Sequence, residues 1–266
     1  VMEVDSAVAR VLGALKKRGL YENTLVLFAS DHGAALYAGN ILKATPNQMR
    51  LLEKEGHIVI APDLPGHGND KTPVSECTLQ LYTDTVNKIL DAQPEPVILV
   101  GHSLGGISIS QAAEQRPAKI KTLVYLAALL QRNGESGTDV MSTDTTSIAP
   151  KYSKLSEDGS VVWMELEDYR NVSYNTCSDE AVAWAGPHLV PEPTKPMQTP
   201  VTVTEENFGR IPRIYIETLQ DKGVTAILQK QMYTNLPCRQ VISMNTDHSP
   251  FMSAPEELTQ HLLAVK

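Results

Sequence analysis

A serine flanked by glycines, lying between a strand pattern and a helix pattern, constrains this chain more than any other feature. Residues 97–100 form the apolar run Val-Ile-Leu-Val, Gly-His-Ser-Leu-Gly follows at 101–105, and a helical pattern starts at Ile107. In such a G-x-S-x-G turn the backbone is strained, and the glycines remove side chains that would collide with the strand and helix. The turn aims the Ser103 hydroxyl above the carboxyl ends of the strands, which makes Ser103 a candidate nucleophile. The backbone N–H of Leu104 is then a candidate oxyanion donor.

The same glycines do not fit a phosphate-binding loop. A dinucleotide-binding fingerprint requires G-x-G-x-x-G, because the backbone at the second glycine must approach a pyrophosphate. Ser103 occupies that position here. The sequence therefore favours a nucleophile turn over a nucleotide site.

The rest of the chain predicts an α/β fold with a doubly wound parallel sheet. Short β-branched runs alternate with longer stretches in which apolar residues recur at three and four positions, which is typical of βαβ units. The predicted strands are 25–30, 57–61, 97–102, 122–127, 213–217 and 240–244, and the predicted helices are 49–55, 79–92, 107–115, 226–235 and 255–265. Six such strands with five crossovers make a mostly parallel six-stranded sheet.

This alternation breaks between residues 131 and 212, where prolines and both tryptophans lie and little strand pattern is found. An insertion of this length is more typical of a functional lid than of a structureless loop. We predict a core of residues 25–130 and 213–266, a helical cap at 131–212, and an extra amphipathic helix within 1–24. Aromatic cap residues are candidates to line an apolar substrate pocket, unless they pack in the cap's own core: Trp163, Tyr169, Tyr174, Trp184 and Phe208.

A serine nucleophile in this architecture needs an acid and then a histidine base downstream in the chain. The histidines after Ser103 are His188 in the cap, His261 in the terminal helix, and His248 in the loop after the last predicted strand. Loops at the carboxyl edge of a sheet are where catalytic side chains are placed. His248 is therefore the candidate base.

The candidate acid is Asp221, which follows the predicted strand 213–217. A carboxylate there can accept the Nδ1 proton of His248, so that Nε2 faces Ser103. Asp247 is a weaker candidate because neighbouring loop side chains tend to diverge, and Glu217 is weaker because it still lies within the strand.

Composition narrows the expected partners and location. With 266 residues, 42% of them hydrophobic, the chain can bury a substantial core, and a net charge of -8 opposes binding to nucleic acid. Three cysteines without a CxxC pair indicate reduced thiols in a cytoplasmic protein, and seven scattered histidines predict no metal site and no cofactor. No run approaches the roughly 18 apolar residues of a membrane span. A serine with a histidine base and an acid is suited to attack an ester carbonyl, so the expected partner is a small-molecule ester, and whether the chain forms a homodimer is left open.

The chain resembles the methyl esterase and hydroxynitrile lyase branch of the α/β hydrolases, and pyrethroid-hydrolysing bacterial carboxylesterases. The likeness runs from about residue 31 to the C terminus and rests on segments 56–68, 97–106, 174–178, 213–223 and 247–258. It implies an α/β-hydrolase fold and hydrolysis of short-chain or hydrophobic carboxylic esters through an acyl-enzyme. In that family an H-G-A triplet after the first strand supplies the second oxyanion donor, so the resemblance implies the backbone N–H of Ala34 in His32-Gly33-Ala34.

Two further readings of function stay open beside the esterase. The resembling hydroxynitrile lyases carry a lysine after the catalytic histidine and a threonine three residues before the H-G pair, whereas this chain has Ser249 and Ala29. The other alternative is a non-catalytic small-molecule binding protein, which the loss of a triad member would favour. Residues 1–33 resemble a stretch of a sulfatase, but no cysteine lies in the C-x-P-x-R motif that a sulfatase nucleophile needs.

Overall fold

The computed structural model of the protein describes residues 24–30 and 46–265. The helix predicted within residues 1–24 lies outside the described residues, apart from Thr24, which begins the first strand. The oxyanion donor predicted at Ala34 also lies outside them.

The core is a six-stranded parallel sheet, as predicted. Numbered in chain order, its strands are β1 (Thr24–Ser30), β2 (Ile58–Ile60), β3 (Val97–Ser103), β4 (Ile120–Leu126), β8 (Arg213–Thr218) and β9 (Gln240–Met244). They lie in the order β2-β1-β3-β4-β8-β9. The central strands β3 and β4 are buried along almost their whole length, which requires cover on both faces of the sheet.

Helices provide that cover and connect the strands. In chain order they are α1 (Pro46–Lys54), α2 (Leu79–Ala92), α3 (Gly105–Gln115), α4 (Gly137–Met141), α5 (Ala149–Tyr152), α6 (Leu166–Val172), α7 (Asp179–Ala185), α8 (Thr194–Gln198), α9 (Ala226–Asn235), α10 (Pro250–Ser253) and α11 (Pro255–Leu263). Each strand and helix predicted for the core is found, with its ends displaced by at most three residues. Threonine caps fix two helix starts, since Thr78 Oγ1 accepts from Leu81 N at 3.1 Å and Thr225 Oγ1 from Leu228 N at 3.4 Å. No helix in the described part of the chain is long and apolar enough to span a membrane.

The segment between β4 and β8 adds structure outside the main sheet, and we call residues 131–212 the cap segment. It contains α4 to α8 and a three-stranded antiparallel sheet of β5 (Lys154–Leu155), β6 (Val161–Trp163) and β7 (Glu192–Pro193). The sequence predicts a helical cap with little strand, so this small sheet is a correction. Strands of two or three residues are too short to show an alternating pattern, and β7 pairs with a strand that is distant in sequence.

The strand order creates a crevice at the edge where the candidate nucleophile lies. The chain runs from β1 to β2 on one side and returns to β3 on the other side of β1. Open α/β sheets bind ligands outside the carboxyl ends of the strands at such a switch point. Ser30, the last residue of β1, is the register partner of Ser103 at the end of β3. The end of β1 therefore lies beside Ser103.

Candidate active site

Ser103 lies in a strained turn between β3 and α3. Its φ of +52° is in the left-handed region, where a non-glycine residue is uncommon and costs about 1–3 kcal/mol. The Ser103 carbonyl accepts a hydrogen bond from Leu129 N at 2.9 Å, which anchors the turn to the segment after β4. Strain of this kind is kept only where the surroundings hold the backbone in place, and that is the property of a nucleophile elbow.

Two glycines make the turn sterically feasible. A Cβ on Gly101 would lie 2.9 Å from the carbonyl carbon of Gly105, and a Cβ on Gly106 would lie 2.1 Å from the carbonyl oxygen of Leu129. Backbone atoms cannot retreat from such contacts, so only glycine fits at either position. Gly106 lies outside the G-x-S-x-G pentapeptide, and its close approach to the segment after β4 is found only in the structure.

Leu104 lies at the start of α3, as its N-cap residue, and is buried. The first N–H groups of a helix have no intrahelical acceptor, and the helix dipole makes this end partly positive. The predicted oxyanion donor is therefore at a place that favours negative charge.

The predicted base and acid are in direct contact. His248 Nδ1 lies 2.5 Å from Asp221 Oδ2, and both residues are buried. His248 follows β9 and Asp221 follows β8, so the contact joins two neighbouring loops at the carboxyl edge of the sheet. Since an ionised carboxylate only accepts, Nδ1 carries the donated proton, and Nε2 is the nitrogen that would exchange a proton with a nucleophile.

Asp221 is held by several donors besides His248. Its Oδ1 accepts from Gly223 N at 2.8 Å and Val224 N at 2.9 Å, and its Oδ2 accepts from Thr218 Oγ1 at 3.2 Å and Gln229 Nε2 at 3.3 Å. Burial raises the pKa of Asp221, and the attraction of His248 and the N–H donors acts in the opposite direction. These contacts fix the direction from which the carboxylate meets the imidazole. Sequence reasoning missed Gln229, whose position on α9 carries no motif.

His102 connects the turn at Ser103 to residues 245–249 after β9, which carry the predicted base and which we call the base loop. Its Nε2 donates to the His248 carbonyl oxygen at 2.7 Å, and the two imidazole centroids are 4.6 Å apart. The Phe251 ring also packs against the His102 imidazole edge-on, with ring centroids 5.0 Å apart. Because His102 directly precedes Ser103, this bond holds the loop that carries His248 close to the turn at Ser103. Sequence reasoning gave His102 no role.

The weaker candidates for acid and base have other partners. Glu217 accepts from Tyr233 Oη at 3.1 Å and Ser243 Oγ at 2.6 Å. His188 stacks on Trp184 with ring centroids 4.4 Å apart, and His261 lies on α11, 3.7 Å from Glu257. The structure thus brings His248 and Asp221 together and leaves Glu217, His188 and His261 out of the pair.

The five aromatic residues predicted to line a pocket are spread over the molecule. Tyr169 and Tyr174 are fully buried with ring centroids 6.3 Å apart, and Trp163 and Trp184 are partly buried on β6 and α7. Phe208 packs under the Arg213 guanidinium at 4.8 Å. Since Arg213 begins β8, Phe208 lies at the end of the sheet opposite to Ser103, and its predicted pocket role is not compatible with that position.

A cavity of about 220 Å³ opens in the cap segment. Its apolar wall comes from α4, α5, the small sheet and α8, and includes Met141, Leu155, Val162 and Met197. Neither the predicted triad of Ser103, His248 and Asp221 nor the five predicted aromatic residues line this cavity. Within the described residues no group of three or more His, Cys, Asp or Glu side chains is placed to hold a metal ion.

Comparison with known proteins places the chain in a family. The sequence matches the alpha/beta hydrolase family over residues 26–261, and the chain belongs to that family. It is 34% identical over 219 residues to a pyrethroid hydrolase from Sphingobium wenxiniae, an alignment that covers 79% of this chain and 78% of that protein.

Plant methylesterases are a second group of similar proteins. Putative methylesterase 11, chloroplastic, from Arabidopsis thaliana is 32% identical over 227 residues, which cover 81% of this chain. The chain spans only 58% of the length of that relative. Because that relative is named chloroplastic, the cytoplasmic location predicted from the sequence stays a prediction.

Solved structures show the same likeness. A pyrethroid hydrolase from Sphingobium faniae superposes with a TM-score of 0.78 at 30% identity, covering 91% of this chain and 96% of that one. A methylesterase from Arabidopsis superposes with a TM-score of 0.74 at 26% identity, covering 91% of this chain and 97% of that one.

Proposed function

We propose that the protein is a carboxylesterase that hydrolyses carboxylic esters through an acyl-enzyme on Ser103. The observation that carries this proposal is the buried 2.5 Å contact between His248 and Asp221, in loops tied to a serine with a φ of +52°. An oriented imidazole beside a strained serine is the arrangement that activates a weak hydroxyl nucleophile. The similar pyrethroid hydrolase and methylesterases support the same reaction class.

The reaction has two halves with the same proton carrier. Ser103 Oγ attacks the ester carbonyl carbon while His248 Nε2 takes the hydroxyl proton, and the imidazolium is stabilised by Asp221. The C–O bond to the alcohol then breaks, and His248 returns the proton to the leaving alkoxide oxygen. A water molecule attacks the acyl-enzyme in the same way, which releases the carboxylic acid and restores the Ser103 hydroxyl.

The oxyanion of each tetrahedral intermediate needs N–H donors. Leu104 N–H at the start of α3 is the first of them, and preorganised backbone donors of this kind contribute roughly 3–4 kcal/mol each to transition-state stabilisation. The resemblance to the family implies Ala34 N–H as the second. The end of β1 opposite Ser103 supports that assignment, since the segment that contains Ala34 starts there.

We propose short-chain or hydrophobic esters as substrates, including esters of the pyrethroid kind. The support is the name of the similar hydrolase from Sphingobium wenxiniae. Among the predicted aromatic residues, Tyr174 is kept as a candidate, because the preceding Ser173 accepts from Ser249 Oγ of the base loop at 2.9 Å through its carbonyl oxygen.

That contact also bears on the lyase alternative. The residue after His248 is Ser249, whose hydroxyl is committed to the Ser173 carbonyl. A hydroxyl supplies no positive charge to a departing cyanide, and a charge-assisted hydrogen bond is worth about 1.5–3 kcal/mol. We therefore prefer hydrolysis to cyanohydrin cleavage. The contact between His248 and Asp221, beside an elbow serine, likewise favours catalysis over a non-catalytic binding role.

The experiment that tests the proposal compares the wild type with Ser103→Ala on short-chain nitrophenyl esters and on mandelonitrile. We expect ester turnover to fall by about a thousandfold or more in the variant, by analogy with triad deletions in other serine hydrolases. Circular dichroism melting should stay cooperative, because the change removes one oxygen atom. Retention of more than about a tenth of the wild-type rate, or cyanide release at a rate comparable with ester hydrolysis, contradicts the proposal.

A further inference from the structure

Asp247 is completely buried next to His248 in the sequence, and it takes no part in the proton transfers between Ser103 and His248. Its carboxylate is nevertheless the centre of a network. Oδ1 accepts from Ser249 N at 3.1 Å and Ser253 Oγ at 2.9 Å, which belong to its own loop and the following α10. Oδ2 accepts from Thr176 N at 2.8 Å and Cys177 Sγ at 3.4 Å, which belong to the cap segment. Oδ1 thus accepts from the base loop and α10, and Oδ2 accepts from the cap segment.

The cap residues involved form a short run, residues 173–177, which we call the cap clamp. Besides holding Asp247 Oδ2, the clamp accepts from Asp247 N through Thr176 Oγ1 at 3.2 Å. It also reaches the loop after β8 that carries Asp221, since Asn175 Nδ2 donates to the carbonyl of Gln220 at 3.2 Å. The cap clamp therefore contacts the loops of both triad partners, His248 and Asp221.

The three consecutive residues 247–249 of the base loop are tethered on two sides. Asp247 and Ser249 bond to the cap clamp, whereas the carbonyl of His248 accepts from His102 beside the nucleophile. Such tethering leaves the His248 backbone little freedom to rotate. The orientation of the imidazole is thereby coupled to the docking of the clamp.

The network tolerates a buried carboxylate because donors surround it. Two backbone N–H groups, one hydroxyl and one thiol meet its two oxygens. Burial and the neighbouring Asp247 carboxylate raise the pKa of Cys177, so this thiol keeps its proton and remains a donor. Asp247→Asn replaces one carboxylate oxygen by an NH₂ group, which donates and cannot accept. The donors that meet that oxygen lose their acceptor, so one side of the network is broken at nearly constant side-chain volume.

We infer that Asp247 is a positioning residue, which makes the reactive orientation of His248 depend on the docked cap clamp. This inference rests on the proposed function. It implies that the cap is required for the chemical step as well as for covering the substrate.

The test compares Asp247→Asn with Glu192→Gln. Glu192 is a matched control because its carboxylate also joins the cap to the core and is fully buried, but it contacts His67 and Tyr82 rather than the triad loops. We expect Asp247→Asn to lower kcat for nitrophenyl esters by about tenfold to a hundredfold, since a small displacement of a catalytic group has effects of this size. KM should change by less than about threefold. Glu192→Gln should lower the melting temperature at unchanged kcat.

A second measurement needs no turnover. The proton between His248 Nδ1 and Asp221 should give a far-downfield ¹H NMR signal, which Asp221→Asn abolishes. We expect Asp247→Asn to shift or broaden this signal and Glu192→Gln to leave it in place. Cys177→Ala, which removes one of the four donors, should act in the same direction with a smaller effect, and it replaces Asp247→Asn if that variant does not fold.

The outcomes separate the two proposals. Equal kcat losses in Asp247→Asn and Glu192→Gln, or an unchanged downfield signal in a folded Asp247→Asn or Cys177→Ala protein, would overturn the positioning role. Absence of ester turnover in the wild type would instead refute the proposed function, and the NMR comparison would still decide whether Asp247 orients His248.

Discussion

Two buried histidine–carboxylate pairs occur in the part of the chain that the structure describes, and their contact distances are nearly the same. His248 Nδ1 lies 2.5 Å from Asp221, and His67 Nε2 lies 2.6 Å from Glu192. The second nitrogen distinguishes them. His67 Nδ1 lies 3.0 Å from the Pro65 carbonyl oxygen, so both nitrogens of that ring lie within hydrogen-bond distance of oxygen atoms of the fold.

The difference separates a pair within the fold from the pair that we propose to be catalytic. The His67 pair bridges the loop after β2 and β7 of the cap segment. Tyr82 completes this bridge by donating to Glu192 at 3.4 Å. In the His248 pair the carboxylate fixes Nδ1, and we assign the other nitrogen to proton transfer with Ser103. The two contacts have similar lengths, so the groups around each imidazole, and not the contact itself, distinguish the two pairs.

The largest expected effect is the loss of turnover when the catalytic imidazole is removed. His248→Ala should lower kcat/KM for nitrophenyl esters by about a thousandfold or more, because the Ser103 hydroxyl then lacks a base. His67→Ala should leave the kcat of the folded fraction within about threefold of the wild type. Steady-state kinetics on folded protein, quantified by circular dichroism, checks both values. Similar losses of kcat in the two variants would show that the pairs do not differ in role.

The structural pair should dominate stability instead. Glu192→Ala leaves His67 buried without its partner, and breaking a buried pair by removing one member costs about 3–5 kcal/mol. Urea denaturation should therefore show a much lower free energy of unfolding for Glu192→Ala, while kcat per folded molecule is retained. A decrease of less than about 1 kcal/mol in the free energy of unfolding would mean that the contact between His67 and Glu192 contributes little to stability.

The smallest effect concerns a thiol beside the structural pair. Burial, and then the negative charge of Glu192, raise the pKa of Cys77 from 9.0 to about 11. Since a raised pKa means less thiolate at a given pH, Cys77 should stay protonated at pH 9. Following its ¹³Cβ chemical shift from pH 7 to pH 11 should give a lower midpoint in Glu192→Gln than in the wild type. In His248→Ala the midpoint should not move, and a shift there would indicate that the two regions are electrostatically coupled.

Local patterns explain why much of the core and the triad candidates can be predicted from the sequence. The apolar run before Gly101 and the glycines around Ser103 are contiguous, and chain order limits the base to a few histidines. His248 and Asp221 each follow a recognisable strand, so their contact at the sheet edge follows from the parallel topology.

Contacts between the cap segment and the core escape such reasoning. Glu192 meets His67, and Asp247 meets Thr176, across large sequence separations that no local pattern encodes. Neighbouring side chains do diverge in the base loop, as expected for Asp247, but the sequence gives no sign of where that carboxylate goes. An aromatic residue of the cap segment such as Phe208 is a candidate for the pocket by sequence, although its backbone lies at the far end of β8.

The most direct test of the central claim is to trap the nucleophile. A fluorophosphonate reacts with an activated serine when Oγ bonds to phosphorus and fluoride leaves. Intact-mass and peptide mass spectrometry should show one phosphonyl group per wild-type chain, on Ser103, with labelling strongly slowed in His248→Ala and absent in Ser103→Ala. Labelling at a different residue, or equally fast labelling of the wild type and His248→Ala, would contradict the assignment of Ser103 and His248.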